Sequence, residues 1–320
     1  MFSSLLQRSS IGGQIFSLLL IVILFLIGTK GSFLQPKNIQ AIIGLAGIPI
    51  IIGLGLHQTI MLGGIDLSLE GVIAICGVVA GMLIRNKATT MDIGFWIVPL
   101  VMVAGALIGM INGLLNTKLR IPSFISTLGM SWVFFGIAIL IRQGRSIPIT
   151  DIRFQRIVND GIIGIPNILI IALVLFVILH IVQSKTRYGK HLYAIGGDEQ
   201  LAKQAGVKVD RIKIITFMLA GLFYGLAALF LVTRLNSAAA RIGNNLLFPI
   251  MSAVAVGGVA LTGGIGGAKN VVVGAIIIAA LNNGLVLMRV NPYIQEAVNG
   301  LVLIVAVALT IDRKKLGFIK

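Results

Sequence analysis

The chain has 320 residues, 57 % of them apolar and only 11 % charged, with 26 Lys and Arg against 10 Asp and Glu and a net charge of +16. A soluble domain carries about 25 % charged residues, so a mean hydropathy of +1.04 excludes a fold whose surface faces water. The single cysteine, Cys76, excludes a disulfide framework, and Lys and Arg gathered between apolar runs read as membrane topology rather than nucleic-acid binding.

Ten apolar runs follow, near residues 11–29, 39–62, 67–84, 93–116, 121–141, 162–183, 212–233, 246–262, 270–288 and 294–311. Each is about long enough to span a bilayer as a helix, which predicts an all-α polytopic membrane protein of about ten helices forming one domain over 1–320. The first run follows Arg8, and no small-x-small cleavage pattern closes it, so it reads as a retained helix rather than a signal peptide.

Gly63-Gly64 breaks the second run from the third. Asp66, Glu70 and Glu296 are acids inside apolar runs, each costing at least about 2.5–3.5 kcal/mol near the bilayer centre unless paired or solvated. A helix beginning near Gly64 would set Asp66 and Glu70 on one face, and Asp66 and Ser68 also suit a helix cap. Three readings stay open: a cap at a broken helix, a polar contact on a transport route, or a proton relay. His57 and Gln58, just before the break, read as interhelical hydrogen-bond partners. Gly105, Gly109 and Gly113, and again Gly221 and Gly225, have the small-xxx-small spacing of close helix crossings within one chain.

Residues 184–213 form the longest polar stretch. Asp198 and Glu199 suit the first turn of a short helix over roughly 198–205, and Gly206 suits its stop. Such a helix projecting from the bilayer could dock into another protein's groove; the plainer alternative is a solvated loop held to lipid phosphates by its basic residues. With the N-terminus inside, segments on that side hold 15 Lys and Arg against 11 opposite, most of them in 184–213 and the tail 312–320. Both ends are therefore expected in the cytoplasm. There is also an internal echo: Asn112-Gly113-Leu114, Arg120 and Pro122 against Asn283-Gly284-Leu285, Arg289 and Pro292. The two copies end at opposite membrane faces, which predicts an inverted repeat.

The chain has no G-x-x-x-x-G-K-[ST] phosphate loop and no G-x-S-x-G elbow. Its three histidines, His57, His180 and His191, lie far apart, without metal-ligand spacing. No catalytic residue, metal or cofactor is expected, and ATP hydrolysis would have to come from another chain.

Gly63-Gly64-Ile65-Asp66-Leu67-Ser68 resembles the signature of permease subunits of bacterial ATP-binding-cassette importers of the ribose and simple-sugar type. Ile121-Pro122-Ser123-Phe124-Ile125, Tyr188-Gly189 through Gly196-Gly197, Gly257-Gly258 through Gly267, and Leu281-Asn282-Asn283-Gly284-Leu285 are similar to later segments of that family, in order over about 40–305. The resemblance implies a permease working with two ATPase domains, a soluble sugar-binding protein outside, and a second permease copy or paralogue, all at the membrane lipid and without nucleic acid. It implies that 184–213 is the cytoplasmic coupling segment, with Gly189, Ala194, Gly196, Gly197, Ala202 and Gly206 carrying contact to the ATPase. Polar contacts along the substrate path are expected from Asp66, Ser68, Asn282 and Asn283. Two places depart from the family pattern: Glu70 stands where Gly is usual, and the stretch Asn244-Asn245-Leu246-Leu247-Phe248-Pro249 lacks the usual acid. Relatives of this kind carry pentoses, hexoses, inositol-like polyols or autoinducer-2. A branched-chain amino-acid permease, an ion-driven carrier using Asp66 and Glu70, and a non-transporting scaffold are the other readings.

Overall fold

The computed structural model describes residues 10–162 and 164–310. Arg8 and the basic tail 312–320, both used above for orientation, lie outside the described residues. The helices are α1 (Ser10–Gly28), α2 (Pro36–Met61), α3 (Leu69–Leu83), α4 (Ile97–Thr117), α5 (Ser123–Arg142), α6 (Ile152–Asn159), α7 (Asn167–Lys185), α8 (Arg187–Gly197), α9 (Glu199–Gln204), α10 (Val209–Arg234), α11 (Leu247–Val256), α12 (Ala268–Leu287) and α13 (Pro292–Thr310). Six of them are long and apolar enough to cross a membrane: α2, α4 with its preceding 3-10 turn, α5, α7, α10 and α12. Four shorter apolar helices, α1, α3, α11 and α13, answer to the remaining runs. Among the described residues, sheet is confined to two ribbons of two-residue strands: β1 (Ile147–Pro148) pairs antiparallel with β4 (Ser237–Ala238), and β2 (Gly161–Ile162) with β3 (Ile165–Pro166).

The core is built around α2 and α10, each 26 residues long, or about 39 Å at 1.5 Å per residue, which exceeds a hydrocarbon slab of about 30 Å. Pro36 opens α2, where its missing N–H costs nothing. Around this pair α3 and α4 pack on α10, while α11, α12 and α7 pack on α2. The outer helices α5 and α13 lean on α3 and α11 in turn and leave Trp132, Leu140, Leu301 and Ile304 bare, as side chains meeting lipid do.

These contacts repeat. In the series α2-α3-α4-α5 and α10-α11-α12-α13 the first helix of each packs on the second and third of the other, and the second packs on the third and fourth of its own. α2 and α4 end at the side of the molecule where α10 and α12 begin, so the two series run in opposite directions. The Arg120 and Arg289 of the sequence echo both adopt left-handed backbone, at φ 55° and 56°. At Arg289 this closes a helix stop in which the 289 and 290 N–H groups return to the carbonyls of Val286 and Leu285.

The α4–α10 crossing shows what the glycines do. A Cβ at Gly105, Gly109, Gly221 or Gly225 would run into the backbone of the facing helix, so the small-residue spacing serves contact inside this chain.

Candidate functional site

The polar segment 184–213 folds as two short helices at one end of the bundle. Thr186 accepts from the Gly189 N–H to start α8, and Asp198 accepts from the Leu201 N–H at 3.0 Å to start α9. Gly206, at φ +83°, stops α9, with N–H groups of Gly206 and Val207 returning to Lys203 and Ala202. Lys213 ties back to Glu199 at 2.8 Å.

The six coupling candidates divide by where they point. Gly189, Gly196 and Ala202 face inward: a Cβ at Gly189 would strike Gln183, and one at Gly196 would strike Met61 and Gly264, while Ala202 is buried. Ala194, Gly197 and Gly206 are exposed, and nothing stands within 4 Å of an added Cβ at Gly197 or Gly206. Beside them Leu201 is 62 % exposed, an apolar knob among small residues that motif reading passed over because leucine is unremarkable in such a chain. Lys118, Lys203, Lys208 and Arg211 border a cavity of about 480 Å³ at the same end.

The path candidates do not converge. Asp66 lies in irregular chain ahead of α3, 1 % exposed. Its Oδ1 accepts from the Ser68 N–H at 2.9 Å and from the Ser68 hydroxyl at 2.6 Å. Asn112 on α4 donates to the Ser68 hydroxyl at 2.8 Å, and Thr127 accepts from the Leu67 N–H at 2.9 Å. Asp66 thus organises the helix break. Because α3 begins only at Leu69, Asp66 and Glu70 do not share a helix face, which corrects the expectation drawn from their spacing. The Glu70 carboxylate instead accepts from the Leu247 N–H at 3.0 Å, the first N–H of α11. The stretch 244–249, which has no acid of its own, thus receives one across the interface, at a helix N-terminus where an acid is favoured. Glu296 accepts from Asn245 of the same stretch at 2.9 Å.

Asn282 lines an otherwise apolar cavity of about 210 Å³ between α2, α11 and α12, with Leu45, Pro49, Pro249 and Ile278 among its walls. The carboxamide oxygens of Asn282 and Asn283 are buried without a partner. His57 and Gln58 meet Gln183 of α7 at 2.8 and 3.1 Å, so the interhelical reading holds for both. No group of three or more His, Cys, Asp or Glu suited to a metal occurs among the described residues.

At the opposite end Arg153 bridges Asp92 and Asp151, at 2.6 Å to each, and Arg85 reaches Asp92 at 2.7 Å. Hydrogen bonds from Arg153 and then Arg85 hold the Asp92 carboxyl down at about 2. Burial pushes Asp151 up, but hydrogen bonds from the Arg153 side chain and the Arg85 N–H outweigh it and leave its carboxyl below the ordinary range. This clasp joins the α3–α4 loop to the start of α6.

Residues 38–307 match the family model described as branched-chain amino acid transport system / permease component. The chain is 38 % identical over 308 residues, 95 % of its length and 92 % of the relative's, to the ribose import permease protein of Bacillus subtilis (strain 168). It is 33 % identical over 314 residues, 93 % of each chain, to the galactose/methyl galactoside import permease protein of Escherichia coli (strain K12). It is 32 % identical over 297 residues, 93 % of this chain and 90 % of the other, to the D-allose transport system permease protein of that organism. No solved structure matches. Ten apolar helices among the described residues, eight of them in two opposed series, with a match running from the start of α2 almost to the end of α13, make this chain a member of the branched-chain amino acid type family of transport-system permease components.

Proposed function

We propose that the chain is the permease subunit of an ATP-binding-cassette importer in the bacterial cytoplasmic membrane, and that its cargo is a small sugar handed over by a soluble binding protein. The relatives named above are import permeases for ribose, for galactose and methyl galactoside, and for D-allose; they support a sugar over the amino acid of the family's description. The observation that carries the coupling role is the two-sided segment 186–206. Its inner face is locked to the bundle through Gly189, Gly196 and Ala202, while Ala194, Gly197, Leu201 and Gly206 are exposed, with open space at Gly197 and Gly206. That outer face suits a groove on each of two ATPase domains, which would supply the hydrolysis that this sequence has no motif for.

Both chain ends are assigned to the cytoplasm, on the side of Lys118, Lys203, Lys208 and Arg211, following the bias of basic residues and their attraction to anionic lipid. A second copy or a paralogue completes the path, and closure of the ATPases would tilt the pair to open it first outward and then inward. Along that path Asn282 is assigned to cargo contact, because it is the one polar residue lining the cavity between α2, α11 and α12. Asn283 stands beside it, and Asp66 and Ser68 hold the helix break that shapes the wall.

The test is purification from native membranes in mild detergent, followed by assay of co-purifying ATPase. An ATPase that accompanies the wild-type chain and leaves with Gly197→Trp, while the chain stays inserted, is the expected result. Absence of ATPase from the wild-type preparation in several detergents would overturn the reading.

A further inference from the structure

One buried side chain bonds two of the helices against which the 186–206 segment rests. Gln183, near the end of α7, is 4 % exposed. Its carboxamide orientation follows from its partners. The Ala268 N–H can only donate, so the atom 3.1 Å from it is Oε1. Nε2 then faces His57 Nε2 at 2.8 Å and Gln58 Oε1 at 3.1 Å. His57 Nε2 must accept there, which places its proton on Nδ1, 3.1 Å from the Gly53 carbonyl. All these roles are mutually consistent.

Each partner sits at a structural joint. Ala268 is the first residue of α12, whose N-terminal N–H groups have no intrahelical acceptor; its own cap position is Gly267, with no side chain to supply one. Gln183 caps α12 from another helix. Gln58, in the last turn of α2, also accepts from the Tyr188 hydroxyl of α8 at 3.2 Å, and that hydroxyl lies 3.1 Å from Thr216 Oγ1 of α10. Tyr193 of α8 donates to the Gly266 carbonyl at 2.7 Å, immediately ahead of α12. A side chain at Gly267 would meet that tyrosine at 2.9 Å. α2 and α12 are the helices that carry Pro49 and Asn282 to the 210 Å³ cavity.

We propose that Gln183 is the positioning residue of this permease: from the end of α7, four residues before α8, its single carboxamide joins the start of α12 to the end of α2, where Gln58 also holds Tyr188 of α8, so that displacement of the 186–206 segment is delivered to the cavity walls. The inference rests on the ATP-driven reading above. In an apolar interior the alternative to these three hydrogen bonds is orphaned polar groups, so the linked elements move together or pay for separating.

The experiment uses the complex purified with its ATPase and reconstituted in vesicles, comparing Gln183→Met, which keeps the volume and removes the hydrogen bonds, with Tyr188→Phe, which removes one hydroxyl. ATPase is expected to stay within about twofold of wild type while cargo moved per ATP falls at least about tenfold for Gln183→Met and about fivefold for Tyr188→Phe, within the range of ordinary coupling energies. Uptake and ATPase falling in parallel in an assembled complex would overturn the assignment, as would unchanged cargo per ATP in both variants. If Gln183→Met does not assemble, Tyr188→Phe decides by the same ratio. If the wild type brings no ATPase, that is seen before any variant is made and counts against the importer reading alone. Hydrogen exchange on the purified chain then tests the linkage itself: Gln183→Met should raise exchange at 187–197 and 268–271 together and leave 72–80 unchanged. A rise at only one of those two segments would overturn the link.

Discussion

Replacing Gly109 by Ala is the sharpest probe of the bundle's central crossing. The new Cβ would stand 2.8 Å from the Phe217 carbonyl carbon and 3.1 Å from the Met218 Cα, where carbon contacts are optimal at about 3.5–4.0 Å. These two atoms and the still nearer Phe217 carbonyl oxygen are all backbone, so no rotamer change relieves the clash. α4 and α10 must part by about 0.7 Å or more, and a gap of about 0.5–1 Å forfeits a quarter to a half of each dispersion contact along the crossing. Overpacking of this kind costs about 1–3 kcal/mol, or about 5- to 150-fold in the unfolding equilibrium. The controls are Gly129→Ala and Gly136→Ala on α5, where nothing lies within 4 Å of the added methyl and the better helix propensity of Ala favours the variant by up to about 1 kcal/mol. Denaturant titration in mild detergent, followed by circular dichroism, compares the three. If Gly109→Ala matches the α5 controls, the close approach of α4 and α10 is wrong, and with it the assignment of that glycine spacing to contact within the chain.

Gly196→Ala should lower the yield of folded chain, because its methyl meets the Met61 and Gly264 backbone, whereas Gly197→Ala should not; fluorescence-detected gel filtration separates these outcomes, and equal yields would refute the two-sided description of α8. Asp66→Asn keeps an acceptor for the Ser68 N–H and hydroxyl and should keep most uptake, while Asp66→Leu strands both donors at about 1–3 kcal/mol per unpaired group; loss of uptake in well-folded Asp66→Asn would revive a proton relay. Glu70→Ala leaves the first N–H of α11 without its acceptor and should cost about 1 kcal/mol, the value of a lost cap, with Glu70→Gln in between, read by the same titration. The depressed Asp92 carboxyl contributes stability that is complete above about 3.9, the ordinary aspartate value, and is lost as pH falls towards its folded value of about 2. A nitroxide at residue 88 should therefore gain mobility as pH falls through that window, and flat mobility would show that the clasp does not restrain the α3–α4 loop.

Much of the local structure is legible from composition and spacing. Every apolar run becomes a helix, because twenty residues without water must satisfy their backbone internally. The break at Gly63-Gly64, the short helix near Asp198 and the Gly206 stop are visible because such signals lie within three or four positions of one another, although Asp198 proves to cap the helix rather than to lie in its first turn. The same logic fails at Asp66 and Glu70. Their spacing suits one helix face, but the Ser68 N–H and hydroxyl satisfy the Asp66 carboxylate before the helix begins, and Glu70 is drawn to a different helix.

What the tertiary structure alone decides is the partner of each buried polar group. In the sequence Gln183 merely closes the apolar run 162–183; it becomes a hub only because α2, 125 residues earlier, and α12, 85 residues later, bring their ends to it. Leu247 receives its acceptor from Glu70, 177 residues away. Hydrophobicity, a property of each segment, sets how many helices this chain forms and that they belong in lipid. Which helix ends lie together is set by close approach at glycines such as Gly105, Gly109 and Gly274, and a hydrogen bond between distant residues exists only once that approach has been made.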